Sequence, residues 1–195
     1  MPGLPAVWSF VSIVHMYQGD IMQTPLLRIA IPVFLAALWS TSAMSEQPAT
    51  QVRSFRLEAP LERVFPLFTA EGERSWAPGW EPTILSGAVE RGSAFVTRAH
   101  SGIETTWIVA DYRPAEGRVS YARLAQGSNI GLVDVTCTTA EGGGTVVSVR
   151  YTLTGVSDSG RAFVREFLEP AHYGRMIDEW QVATNAALAG KPVSH

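Results

Sequence analysis

Between Pro82 and Gly155 the chain repeats one pattern: a segment of at most twelve residues in which apolar and polar side chains alternate, followed by a short connection containing glycine. The segments are Thr83–Val89, Ala94–Ala99, Glu104–Arg113, Arg118–Ala125, Ser128–Thr139 and Thr145–Gly155. Alternation with a period of two is the mark of strands that bury one face. The connections, such as Ser101-Gly102, Gln126-Gly127 and Glu141-Gly142-Gly143-Gly144, are too short to carry the helical crossover that parallel neighbours need. Sequential antiparallel hairpins are therefore expected. On the last segment Val147, Val149, Tyr151 and Leu153 form the inward face, while Ser148, Arg150, Thr152 and Thr154 form the other.

A sheet of this kind must be covered on its apolar face, and the flanking segments supply the cover. Gln51–Glu58 reads as a first strand. Pro60 suits the first position of a helix, and Leu61, Val64, Phe65 and Phe68 recur at helical spacing over about two and a half turns. Glu71–Trp76 is expected to form a second short helix, stopped by Pro78-Gly79. After the sheet, Gly160–Leu168 reads as a short helix, and a long one runs from Pro170 to Ala189, ended by Gly190 and Pro192. Its apolar stripe is Tyr173, Ile177, Trp180, Thr184 and Leu188.

This order of elements resembles the helix-grip fold of plant pollen allergens, START domains and bacterial polyketide cyclases. The stretch from Arg63 through Trp76-Ala77-Pro78-Gly79-Trp80-Glu81-Pro82 is similar to the helix-to-loop segment of bacterial SRPBCC proteins. Tyr173-Gly174-Arg175-Met176-Ile177-Asp178-Glu179-Trp180 is similar to the start of their long helix. The resemblance spans residues 50–190. It implies an α+β fold: a curved antiparallel seven-stranded sheet wrapped on a long C-terminal helix, two short helices after strand 1, and a tunnel between sheet and helix that takes apolar ligands. No catalytic set recognisable from cyclase-like members is present, so the resemblance carries fold further than function.

Residues 1–43 stand apart, because Asp20 and Arg28 are their only Asp, Glu, Lys or Arg side chains. From Met22, the order of a short positive leader, an apolar stretch Ile29–Trp39 and the small residues Ser40-Thr41-Ser42-Ala43 reads as a signal peptide. The expectation is translation from Met22, cleavage near Ala43 and export, in a bacterium to the periplasm. The apolar stretch is about half the roughly 20 residues of a spanning helix. The alternative is an uncleaved anchor, which would be the chain's one contact with a membrane. Residues 44–49 form a polar tail, 50–190 the folded domain and 191–195 a second tail.

Composition narrows the partners. A formal charge of −3 without any Lys/Arg cluster gives no field for nucleic acid. Cys137 is the one cysteine, and its spacing from His100, His172 and His195 matches no zinc site, so neither metal nor cofactor is expected. Trp76, Trp80, Trp107 and Trp180 lie in the domain and, with Tyr121, Tyr151, Tyr173 and Ile177, are the candidate ligand-binding side chains. Each has core packing as its plainer role.

Two readings of function lead: an exported binding protein for a lipid-like or aromatic molecule, needing no catalysis, or a cyclase, dehydratase or hydrolase. For the second, His172, Glu104 and Asp134 are weak candidates, and Glu71 and Glu73 with Arg74 are a possible polar gate. A third reading is an interaction module resembling chaperone activators. The cavity discriminates between the leading two: an apolar interior points to carriage, an inward carboxylate or imidazole in a desolvated setting to chemistry.

Overall fold

The computed structural model describes residues 47–87, 89–98 and 104–191. The leader, His100, the Ser101-Gly102 connection and residues 192–195 lie outside that set, and everything below concerns the unit formed by residues 43–195. Seven strands form one antiparallel sheet: β1 Ala49–Leu57, β2 Thr83–Ser86, β3 Ala94–Arg98, β4 Glu104–Arg113, β5 Arg118–Ala125, β6 Asn129–Thr139 and β7 Thr145–Gly155. Their order across the sheet is β1-β7-β6-β5-β4-β3-β2, so every strand from β2 to β7 lies beside its sequence neighbour and β1 closes onto β7. This is the hairpin series that the alternating segments call for. On β7, Val147, Val149, Tyr151 and Leu153 are buried as expected.

The differences from expectation are local. The segment after β1 is α-helical over α1, Leu61–Val64, and then tightens to a 3-10 turn over Phe65–Phe68. Pro66 has no N–H to extend the α ladder, which accounts for the change. Gly72–Ser75 is likewise a 3-10 turn. Strand β2 stops at Ser86 rather than running to Val89. Gly87 takes φ +65°, and a Cβ there would stand 2.3 Å from Ser93 Oγ, so the chain turns where a strand would have continued. The register also shifts between Ile84 and Ser86. The next helix, α2, spans Asp158–Phe167, starting earlier than expected because Ser157 Oγ accepts the Gly160 N–H at 3.0 Å.

The long helix, α3, runs Pro170–Leu188, with the Glu169 carboxylate accepting the His172 N–H at its start. It lies over the concave side of the sheet. Tyr173, Ile177 and Thr184 are buried at spacings of four and seven, with Trp180 half-buried between them. The Tyr173 hydroxyl donates to the Val149 carbonyl at 2.9 Å, which ties the stripe to the middle of β7. At the sheet edge Arg53 grips Asp178 through both carboxylate oxygens, at 2.7 and 2.8 Å. That pair is exposed and contributes little. The burial of Ile177, which is 0% exposed, carries more. Ile177→Ala is expected to cost about 3 kcal/mol, read as a lower midpoint of urea unfolding at unchanged slope.

Candidate functional site

The concave face of the sheet shows which side chains reach the interior. On β5 the inward positions are Val119, Tyr121, Arg123 and Ala125, three of them buried and Arg123 half-buried. The strand pairing sets two rows across the sheet. One runs Phe95, Trp107, Arg123 and Gly131 from β3 to β6, and the other Tyr121, Val133 and Tyr151 from β5 to β7. Because neighbours in a row share one face, their side chains meet. Phe95 and Trp107 stack with ring centres 5.9 Å apart and planes 7° apart. The Arg123 guanidinium lies 5.6 Å from the centre of the Trp107 ring.

The cover over these rows comes from the 3-10 segments and from α3. A Cβ on Gly72 would fall 1.9 Å from the Pro66 carbonyl oxygen, so only glycine allows the chain to fold back here. The Trp76 indole N–H donates to the Leu67 carbonyl at 2.7 Å, and that of Trp80 to the Ala70 carbonyl at 2.8 Å. Trp80 then meets Trp107 edge-on, with centres 5.8 Å apart. Between cover and sheet remains a cavity of about 370 Å³. Aromatic rings form much of its wall, and exposed Pro78, Gly79 and Arg98 mark its mouth.

Of the side chains singled out in the sequence, Trp80, Trp107, Tyr121, Tyr151 and Trp180 line this cavity together. Tyr173 and Ile177 do not: they are spent on core packing under α3. Trp76 is also absent from this wall. It is 1% exposed, meets Trp180 edge-on at 5.1 Å, and borders a separate groove of about 770 Å³ beside the outer side of α3. The catalytic candidates fall elsewhere. His172 is exposed at the start of α3, Glu104 pairs with Arg98 at 3.2 Å, and Asp134 accepts the Ser120 hydroxyl proton at 2.6 Å on the other face of the sheet. Glu71 binds Arg74 at 2.9 Å at the surface. Cys137 is fully buried, and burial pushes its thiol up to about 12, which removes it as a nucleophile.

Two polar residues that the sequence reading did not select as ligand contacts stand in the wall instead. The Glu73 carboxyl takes no hydrogen bond and no ion pair among the described residues, and desolvation pushes it up to about 8. The residue is half-buried and lines the cavity. Near neutral pH most of this carboxyl therefore holds its proton. Arg123 bonds the Asn129 side-chain oxygen and lies over the rings of Trp107 and Phe163, and no carboxylate pairs with it among the described residues. Burial pulls its affinity for a proton below the ordinary arginine value.

Tyr151 connects the two. Burial raises its hydroxyl first, the charge on Glu73 raises it further, and the charge on Arg123 lowers it. Its hydroxyl has no hydrogen-bond partner among the described residues, whereas the Tyr121 hydroxyl donates to the Phe68 carbonyl at 2.9 Å. Arg123 was legible in principle, since it shares the inward parity of Val119 and Tyr121. Glu73 sits in a 3-10 turn, where no sequence period assigns a side. Among the described residues no group of three His, Cys, Asp or Glu side chains is placed to hold a metal ion, and no helix is long and apolar enough to cross a membrane.

A curved antiparallel sheet gripping a long C-terminal helix over an aromatic-walled cavity defines a helix-grip protein. The family of polyketide cyclases, dehydrases and lipid-transport proteins matches residues 49–180, and the chain belongs to that family. The protein CalU16 from Micromonospora echinospora is similar over 75% of this chain and 78% of its own, at 16% identity and a TM-score of 0.54. The crystal structure of Ara h 8.0201 covers 73% of this chain and 99% of its own, at 13% identity and a TM-score of 0.56. An aromatase/cyclase from Streptomyces sp. R1128, ZhuI, covers 74% and 99%, at 13% identity and a TM-score of 0.55. At these identities the likeness is one of fold. No curated protein sequence matches the chain.

The position of Glu73 has a consequence for stability. Its folded-state pKa lies above the ordinary value of 4.5, so nothing is lost below that value. Between 4.5 and about 8 the unfolded chain releases the proton that the folded chain keeps, and stability falls as pH rises. The slope for this one group is about 1.4 kcal/mol per pH unit, flattening above the folded-state value. Glu73→Gln removes the slope, so its thermal midpoint should exceed that of the wild type at pH 7 and match it near pH 4.5, as measured by calorimetry.

Proposed function

We propose that this protein binds one small, ring-bearing hydrophobic molecule in the cavity between the sheet and α3. The observation that carries the reading is the box of Trp80, Phe95, Trp107 and Tyr121, whose rings pack on one another at centre distances of 5.8–6.3 Å and form one wall of the cavity of about 370 Å³. Burying about 200 Å² of apolar ligand surface at roughly 25 cal/mol per Å² contributes about 5 kcal/mol before ordering costs. A few polar contacts then set orientation. Membership in a family that includes lipid-transport proteins supports the same reading. Export after cleavage near Ala43 is part of the proposal and rests on the pattern of the leader alone.

Native mass spectrometry of residues 44–195, purified from the producing cells, tests it. A co-purifying apolar or aromatic compound, lost on denaturation, is the expected result. An empty protein that also takes up no aromatic compound from a mixed panel would sink the binding reading.

One observation favours a second reading, in which binding is followed by acid–base chemistry. Glu73 is the inward, desolvated carboxyl that distinguishes chemistry from carriage, and its proton affinity near neutrality suits a group that both gives and takes protons. A carboxyl so placed protonates a ligand carbonyl oxygen, or as carboxylate takes a proton from the carbon beside it. Deuterium exchange at the α-carbons of 2-tetralone in heavy water, followed by NMR, tests this. The wild type should accelerate exchange and Glu73→Gln should be about 100-fold slower. No acceleration by the wild type leaves a binding protein.

A further inference from the structure

The cavity wall carries an unbalanced charge. Its ionisable side chains are Glu73, Arg98, Tyr121, Arg123 and Tyr151. Arg98 is neutralised at the mouth by Glu104, 3.2 Å away. The two tyrosines are neutral phenols. Glu73 makes no hydrogen bond or ion pair with Arg123 and so does not serve as its counter-ion. Arg123 is therefore a half-buried cation facing a cavity without a negative partner among the described residues.

Its surroundings show that it is held in place. The Trp107 ring lies 5.6 Å on one side and the Phe163 ring 5.9 Å away on α2, and Asn129 at the start of β6 accepts one N–H. Gly131, its neighbour on β6, offers no side chain to compete for the space. The remaining guanidinium N–H groups donate to no protein atom among the described residues, and none of them is sealed away from solvent-sized space. Donors left open in a wall of apolar rings are expensive unless something accepts from them. Beside them the Tyr151 hydroxyl is a further unused donor.

We infer that the ligand is an anion: a ring-bearing acid whose carboxylate or enolate-type oxygens accept from Arg123 and Tyr151 while its rings occupy the aromatic box. This names the ligand class for the cavity-binding reading and rests on it. The planar, forked guanidinium suits a two-oxygen acceptor, and its contacts with the Trp107 and Phe163 rings and with Asn129 restrain it. The Glu73 carboxyl lines the same cavity and, holding its proton near neutral pH, does not repel the incoming charge. A neutral ligand of the same shape leaves the guanidinium unmatched, and so is selected against.

Calorimetric titration of residues 44–195 with 2-naphthoate and its neutral isostere 2-naphthamide at pH 7 tests the inference. The wild type should bind the naphthoate ten- to a hundredfold more tightly. Arg123→Gln should lose that preference while binding the naphthamide within about threefold of the wild type, and Arg123→Lys should keep part of it. Circular dichroism on both variants checks that the sheet is intact, and Arg123→Lys keeps the test open if Arg123→Gln does not fold. Equal or tighter binding of the naphthamide by the wild type overturns the inference and leaves the cavity-binding reading standing, with Arg123 a packing residue. If neither compound binds, both fall.

Discussion

The architecture depends on one contact: the apolar stripe of α3 against the concave side of the sheet, anchored where the Tyr173 hydroxyl meets the Val149 carbonyl. A seven-stranded antiparallel sheet with alternating side chains has an apolar face that water cannot be left to cover. Near β1 and β7 the helix fills it directly, with Tyr173 and Ile177 packed to near-zero exposure. Farther along the strand order, over β3 to β5, the cover is instead the glycine-hinged aromatic segment from Gly72 to Trp80. This second cover stands off the sheet, and the cavity is the gap it leaves.

That division explains how the site is assembled. The aromatic rings are fixed from two directions: Trp107 and Phe95 by strand register, Trp80 by its indole bond to Ala70. The polar groups come from different sources again, Arg123 and Tyr151 from strands and Glu73 from a turn. None of the three neutralises another. A protein interior normally pairs such groups, so a cavity that leaves all three open keeps its hydrogen-bonding capacity for something that enters it.

Legibility in the sequence followed the regularity of the backbone. Strands declared themselves because a period of two leaves little choice of face, and the bounds of β4, β5 and β7 were readable to the residue. The same parity made Tyr151 visible as an inward side chain, whereas for Trp107 it gave a face without saying which side that face took, and Arg123 shares the inward parity of Val119 and Tyr121 without having been singled out. Tyr173 and Ile177 were correctly placed on the stripe of α3, yet a stripe does not say which of its members meet the sheet and which meet empty space. Glu73 was named only as part of a possible gate with Glu71 and Arg74, and its inward side was out of reach, because 3-10 turns have no period long enough to assign a side. Its role depends on Gly72 packing against Pro66, a contact between backbones that leaves no pattern in side-chain chemistry.

The shortness of β2 has a bearing on solution behaviour. A sheet that is open rather than closed into a barrel has two rims, here β1 and β2, and each rim is a template onto which another chain can add a strand. Ile84 and Leu85 are exposed on β2, an invitation to such growth. The strand offers only four residues, its register slips between Ile84 and Ser86, and Gly87 turns the backbone away immediately afterwards. An incoming strand finds too few aligned donors and acceptors to propagate. The irregularity that shortened this element thus guards the β2 rim against the addition of another strand.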